Sequence, residues 1–133
     1  MAKPKSVHVL MIAFLVMLAL SGCSSSTTTL NVNAKDIKFG QTSWDAPAGG
    51  EVTLNLKNDG ALEHEFVIMK SGTEVTVPFD EDDEANIYWE IKAKPGETAS
   101  GVFTAPAEAG EYQVVCGIAG HVEAGMTGVL IVK

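Results

Sequence analysis

Beyond residue 29, apolar and polar positions alternate with a period of two along most of the chain. Leu30, Val32 and Ala34 are interleaved with Asn31, Asn33 and Lys35, and Ile37 and Phe39 repeat the pattern. Val52, Leu54 and Leu56 alternate with Thr53, Asn55 and Lys57. Such alternation predicts strands with one buried face. Phe66-Val67-Ile68-Met69 is apolar throughout, which predicts a strand from His64 to Met69 covered on both sides. Further strands are predicted for Ala99 to Thr104, Glu111 to Cys116 and Gly128 to Lys133, with Tyr112, Val114 and Cys116 on one face. Asn86 to Lys92 fits either a strand or one or two helical turns.

Turn signals punctuate these runs: Ala46-Pro47-Ala48-Gly49-Gly50, Asn58-Asp59-Gly60, Lys94-Pro95-Gly96 and Ala105 to Gly110. No long helical period appears in this part. The pattern predicts an all-β domain, an antiparallel β-sandwich, over residues 30–133. The acidic run Asp80 to Glu84 lacks the spacing of a calcium loop and reads as a solvated loop or a helix start.

The N-terminus follows a different rule. Lys3 and Lys5 precede an apolar run from Val7 to Leu20, shorter than a membrane span. Leu20-Ser21-Gly22-Cys23 follows and resembles a bacterial lipobox. Residues 1–22 are therefore expected to be a lipoprotein signal peptide, and Cys23 the lipidated first residue. Residues 23–29 would form a polar tether. Its six residues from Ser24 span about 20 Å extended or roughly 13 Å as a coil. The domain is expected to be exported and held at the outer face of a prokaryotic membrane, in the periplasm or at the cell surface.

The chain carries 9 Lys and Arg against 17 Asp and Glu, a formal net charge of −8. That excludes a nucleic-acid partner, whose phosphates need basic side chains, and suits a basic protein partner.

Chemistry concentrates in CGIAGHVEAGM, from Cys116 to Met126. Cys116, His121 and Met126 are each separated by four residues, and a second imidazole, His64, stands upstream. Thiolate and thioether are soft donors suited to copper, and imidazole binds either oxidation state. With the leader removed, His64 and His121 are the only histidines, and Cys116 is the only thiol besides Cys23. Taken singly, His64 and Met126 fit core packing, and Cys116 could pair with Cys23 in an exported disulfide. A Cys–His nucleophile pair would need an orienting carboxylate or amide, and none is evident.

These residues, His64 in EHEFVI and Cys116, His121 and Met126 in CGIAGHVEAGMTGVLIV, resemble the cupredoxins, the type 1 blue copper proteins. The loop spacing is more similar to that of auracyanin and rusticyanin than to the shorter loop of plastocyanin. The resemblance implies a Greek-key sandwich with one copper at one end. His64, Cys116 and His121 would form the trigonal set, with Met126 as the weak axial ligand. His121 would be the electron port, set in an apolar docking patch. Glu65 stands where many members have Asn, Ser or Asp. With Glu63 it brings negative charge toward the metal, which favours Cu(II) and lowers the potential.

The function implied is a membrane-tethered one-electron carrier between redox partner proteins, monomeric and not an enzyme. The alternative is copper transport, storage or delivery, which is disfavoured by the scarcity of Met and His. Multicopper oxidases and nitrite reductases need further histidines, and the binuclear centre of cytochrome oxidase a second loop cysteine; this chain has neither.

Overall fold

Val52, Leu54 and Leu56 are fully buried, and they alternate along the strand Glu51–Asn58 (β4). Burying each such side chain contributes roughly 1.5–3 kcal/mol, which pins the register of the strand against the core. The computed structural model describes residues 27–133. The proposed signal peptide, Cys23 and most of the tether lie outside the described residues.

Two sheets face one another. The first contains Thr28–Lys35 (β1), Lys38–Phe39 (β2), β4 and Thr98–Thr104 (β7), in the order β2-β1-β4-β7. The second contains Ser43–Ala46 (β3), His64–Met69 (β5), Ile87–Ala93 (β6), Gly110–Val115 (β8) and Thr127–Val132 (β9). Its order is β3-β9-β8-β5-β6. A short helical turn, Glu81–Glu84 (α1), is the only helix among the described residues. None of them forms a helix long and apolar enough to cross a membrane.

The all-β sandwich is as expected, but its sheets are mixed rather than purely antiparallel. β1 runs parallel to β4, and β3 runs parallel to β9. The first strand also starts earlier than expected. Thr28 and Thr29 pair with Val52 and Thr53, so these two polar residues belong to the sheet and not to a tether. Threonine is β-branched and suits a strand; polarity alone concealed it.

Residues 87–93 resolve as a strand. Ile87, Trp89 and Ile91 are half-buried and alternate with exposed Tyr88, Glu90 and Lys92. Trp89 stacks on Phe103 of β7 at 4.6 Å, where the edges of the two sheets meet. The acidic run caps itself: Asp80 accepts from the Asp82 N–H at 3.0 Å, and Asp83 accepts from the Asp80 N–H at 3.3 Å. Its carboxylates thus satisfy orphan N–H groups of the helical turn.

The core between the sheets centres on Phe39, Trp44 and Phe66. Their rings meet edge to face at centroid distances of 4.8–5.7 Å, a favoured aromatic geometry. The outer face of β5 is covered too. Val67 and Met69 pack with Val115 and Val122 beneath Val75, Phe79 and Ile87. The segment that crosses this face accounts for the unbroken apolar run in β5. Its burial on both sides makes β5 a rigid support for the residue at its start, His64.

Candidate metal centre

His64 is the first residue of β5, and Cys116 directly follows β8. A buried Asn58 shapes the loop before His64. Its amide donates to Leu62 O at 2.7 Å and to Ala93 O at 3.0 Å, and its Oδ1 accepts from the Gly60 N–H at 2.9 Å. His64 itself faces Ala93 across the β5–β6 pair.

The loop from Cys116 to Met126 closes on itself. The Cys116 N–H donates to Met126 O at 3.1 Å, and the Met126 N–H donates to His121 O at 2.9 Å. The His121 N–H donates to Ile118 O at 3.0 Å. The backbone of each candidate donor in the loop is therefore tied to another's. Antiparallel β8 and β9 hold both ends of the loop.

His64, Cys116 and Met126 are fully buried, and His121 is 4% exposed. Cys116 Sγ lies 3.3 Å from His121 Nδ1 and 4.0 Å from His64 Nδ1. One donor atom from each of the three residues lies within 4.8 Å of the others. The imidazole centroids are 5.0 Å apart, with ring planes tilted by 47°. Met126 packs in the same buried cluster as Cys116. Metal–nitrogen bonds of about 2.0 Å and metal–sulfur bonds of about 2.3 Å would place ligands of one ion roughly 3.5 Å apart. The two sulfur–nitrogen distances, 3.3 and 4.0 Å, bracket that spacing, and the soft and imidazole character of the donors fits copper.

Burial pushes the Cys116 thiol above its ordinary pKa; the Glu65 N–H, at 3.3 Å from the sulfur, and the Ile118 N–H oppose the rise. Burial holds His121 below the usual imidazole value, so it offers an unprotonated nitrogen at neutral pH. A metal that takes the thiolate must displace the thiol proton. At pH 8, Cu(II) uptake is expected to release about one proton per ion, and apparent affinity to rise about tenfold per pH unit. Calorimetric titration in buffers of different ionisation enthalpy measures both. Affinity flat from pH 7 to 8 would contradict thiolate ligation.

Two neighbours were not legible in the sequence. Lys92 lies across the β5–β6 pair from Glu65. Its Nζ is 2.6 Å from Glu65 Oε1 and 3.6 Å from Glu63 Oε1, and the Glu65 contact raises its pKa. The two glutamates thus share a cation and do not act as bare negative charges. Gly117 permits this arrangement: a Cβ there would sit 2.5 Å from Glu65 Oε2. The second is Asp36, whose Oδ1 is 3.6 Å from His64 Nε2. No periodicity or motif points to a residue in a turn so far upstream.

The sulfocyanin (SoxE) domain family matches residues 6–133. Sulfocyanin of Sulfolobus acidocaldarius is 30% identical over 95 residues, covering 64% of this chain. The chain spans about half of that relative's length, 47%. Auracyanin-A of Chloroflexus aurantiacus is 30% identical over 128 residues, covering 85% of this chain and 78% of the relative. A solved structure of auracyanin A from that organism, described as a "blue" copper protein, superposes with a TM-score of 0.66 at 28% identity. It covers 80% of this chain and 99% of that one. Dithionite-reduced auracyanin from Roseiflexus castenholzii superposes with a TM-score of 0.70 at 29% identity, covering 80% and 97%. The cupredoxin resemblance read from the ligand loop is borne out, and the chain belongs to the sulfocyanin (SoxE) domain family.

Proposed function

We propose that this chain is a one-electron carrier with a single type 1 copper, held by His64, Cys116, His121 and, more weakly, Met126. The observation that carries this reading is the convergence of three buried donors within 4.8 Å, from two segments far apart in sequence. When bound, copper supplies a one-electron Cu(I)/Cu(II) couple. The protein's part is to hold the donors still. β5 fixes His64 and the cross-bonded loop fixes the other three, so little has to move when charge changes. The Glu65 and Ile118 N–H groups direct positive dipole ends at the sulfur and stabilise its negative charge.

The electron leaves or enters near His121, whose neighbours Ala119 and Gly120 are exposed. Beside them lies an open cleft of about 560 Å³ lined by Glu65, Glu84, Glu90, Lys92 and Ile118. Its acidic excess suits a redox partner with a basic surface. The domain, residues 30–133 together with the two strand residues before it, acts as a monomer. Lipid on Cys23, exposed by removal of residues 1–22, tethers it to the outer face of the membrane. Mass spectrometry of the full-length product tests the tether: a diacylglyceryl Cys23 at the N-terminus supports it, and an unmodified Met1 refutes it.

The copper reading is tested by adding Cu(II) to residues 24–133 and recording the visible spectrum. An intense thiolate-to-copper band is expected; a spectrum without one refutes the site.

Charge near the site has a definite sign. Glu65→Gln removes a negative charge and leaves Lys92 less compensated, so it raises the midpoint potential. Lys92→Gln does the reverse and lowers it. Voltammetry on both variants measures the pair of shifts. Shifts of the same sign would show that packing, and not charge, controls the response.

A further inference from the structure

His64 Nε2 is buried and lacks a hydrogen-bond partner within the described residues. A buried polar nitrogen without a partner is costly, and the group facing it is Asp36, with Oδ1 at 3.6 Å. We infer that Asp36 is a positioning residue for His64: its carboxylate holds the proton of this imidazole on Nε2 and leaves Nδ1 free for the metal. The inference rests on the copper reading for its consequence, and its geometry stands without the metal.

Three observations support it. First, the same Oδ1 accepts from the Ala61 N–H at 2.8 Å and from the Leu62 N–H at 3.2 Å. Asp36 therefore clamps the loop that leads into His64 as well as facing the ring. Second, Gly60 lets that loop close. A Cβ there would lie 2.3 Å from Asp36 Oδ1 and 3.0 Å from the Asp36 nitrogen, so a larger residue would expel the carboxylate. Third, Asp36 occupies the two-residue turn between β1 and β2, next to Ile37 at φ +56°. A β-branched residue in the left-handed region is an outlier, and such strain persists where surrounding contacts over-determine the backbone. The Asp36 side chain anchors this same turn to residues 61 and 62.

The two ring nitrogens then have separate roles. Nδ1 lies 4.0 Å from Cys116 Sγ, on the metal side. Nε2 faces a half-exposed carboxylate that the Ala61 and Leu62 N–H groups hold in place. An imidazole whose N–H points at a carboxylate is a more basic and better oriented ligand.

The test uses the full-length protein and two variants. Asp36→Asn keeps an acceptor oxygen for Ala61 and Leu62 but removes the charge; Asp36→Leu removes both. In the metal-free wild type, nitrogen-15 NMR should find the His64 proton on Nε2. Asp36→Asn should keep the wild-type Tm within about 3 °C and raise the midpoint potential. Asp36→Leu should weaken Cu(II) binding about 10- to 100-fold. A His64 proton on Nδ1 in the wild type overturns the inference. So does an unchanged potential in Asp36→Asn, or Asp36→Leu binding within about twofold of wild type. If the wild type shows no copper band, the electron-carrier reading fails, and the NMR measurement alone decides the role of Asp36.

Discussion

Cys116→Ser is expected to abolish the intense visible band of the copper-loaded protein and the thermal stabilisation that copper confers. The thiol is fully buried and lies within 4.0 Å of a ring nitrogen of each imidazole, and Met126, the other sulfur in this cluster, is a thioether that cannot become a thiolate. A serine hydroxyl is nearly the same size and can still accept from the Glu65 N–H. It does not ionise in such a site, however, and it is a hard donor that Cu(I) disfavours. Metal-free stability should therefore change little. Copper stabilises the wild type by binding only its folded state, with a gain that grows with metal concentration over Kd; the variant loses that gain. Spectra and melting curves at several copper concentrations report the two effects separately. A persistent band, or an undiminished copper-dependent rise in Tm, would move the centre away from Cys116. Met126→Leu is the companion experiment. It should keep the colour and raise the potential, because only a weak donor is removed; complete loss of copper would assign Met126 a stronger role.

Phe66→Ala is expected to cost about 3–5 kcal/mol of stability in the metal-free protein. Phe66 is fully exposed to neither face of the sandwich: it is wholly buried and meets both Phe39 and Trp44 edge to face. Those partners come from β2 and β3, short strands of opposite sheets, so the cavity would open where the two layers are joined. A loss of this size is a large fraction of the typical stability of a small domain. Phe66 also lies two residues from His64 on the same face of β5, so the variant should hold copper less tightly once folded. Urea unfolding followed by Trp fluorescence measures the first effect. The control is Val102→Thr on β7, where the side chain is 59% exposed; a change within about 0.5 kcal/mol is expected there. Similar costs at both positions would mean that the aromatic cluster does not hold the sheets together.

The candidate donors were legible because coordination chemistry restricts residue type. Few side chains offer soft or imidazole donors, and from residue 30 onward this chain places nearly all of them in the candidate site. The strands were legible where one face meets the core, as in β4, because burial imposes a period of two. β6 was ambiguous because Ile87, Trp89 and Ile91 are only half-buried, and pairing with β5 decides their conformation. The parallel pairings of β1 with β4 and of β3 with β9 leave no local mark, since alternation is the same whichever way a neighbour runs.

The charges around the centre follow the same division. Glu63 and Glu65 are visible as acids beside His64, but their compensation by Lys92 depends on a cross-strand register. The donation from residue 65 to Cys116 comes from its backbone N–H, which no side-chain identity announces.

By itself, the order of residues determined the all-β character, the candidate donors and the family, because hydrophobic period and donor chemistry are written residue by residue. Tertiary structure alone decided strand direction, the Lys92 ion pairs and the approach of Asp36 to His64, because each depends on atoms brought together from segments that share no local pattern.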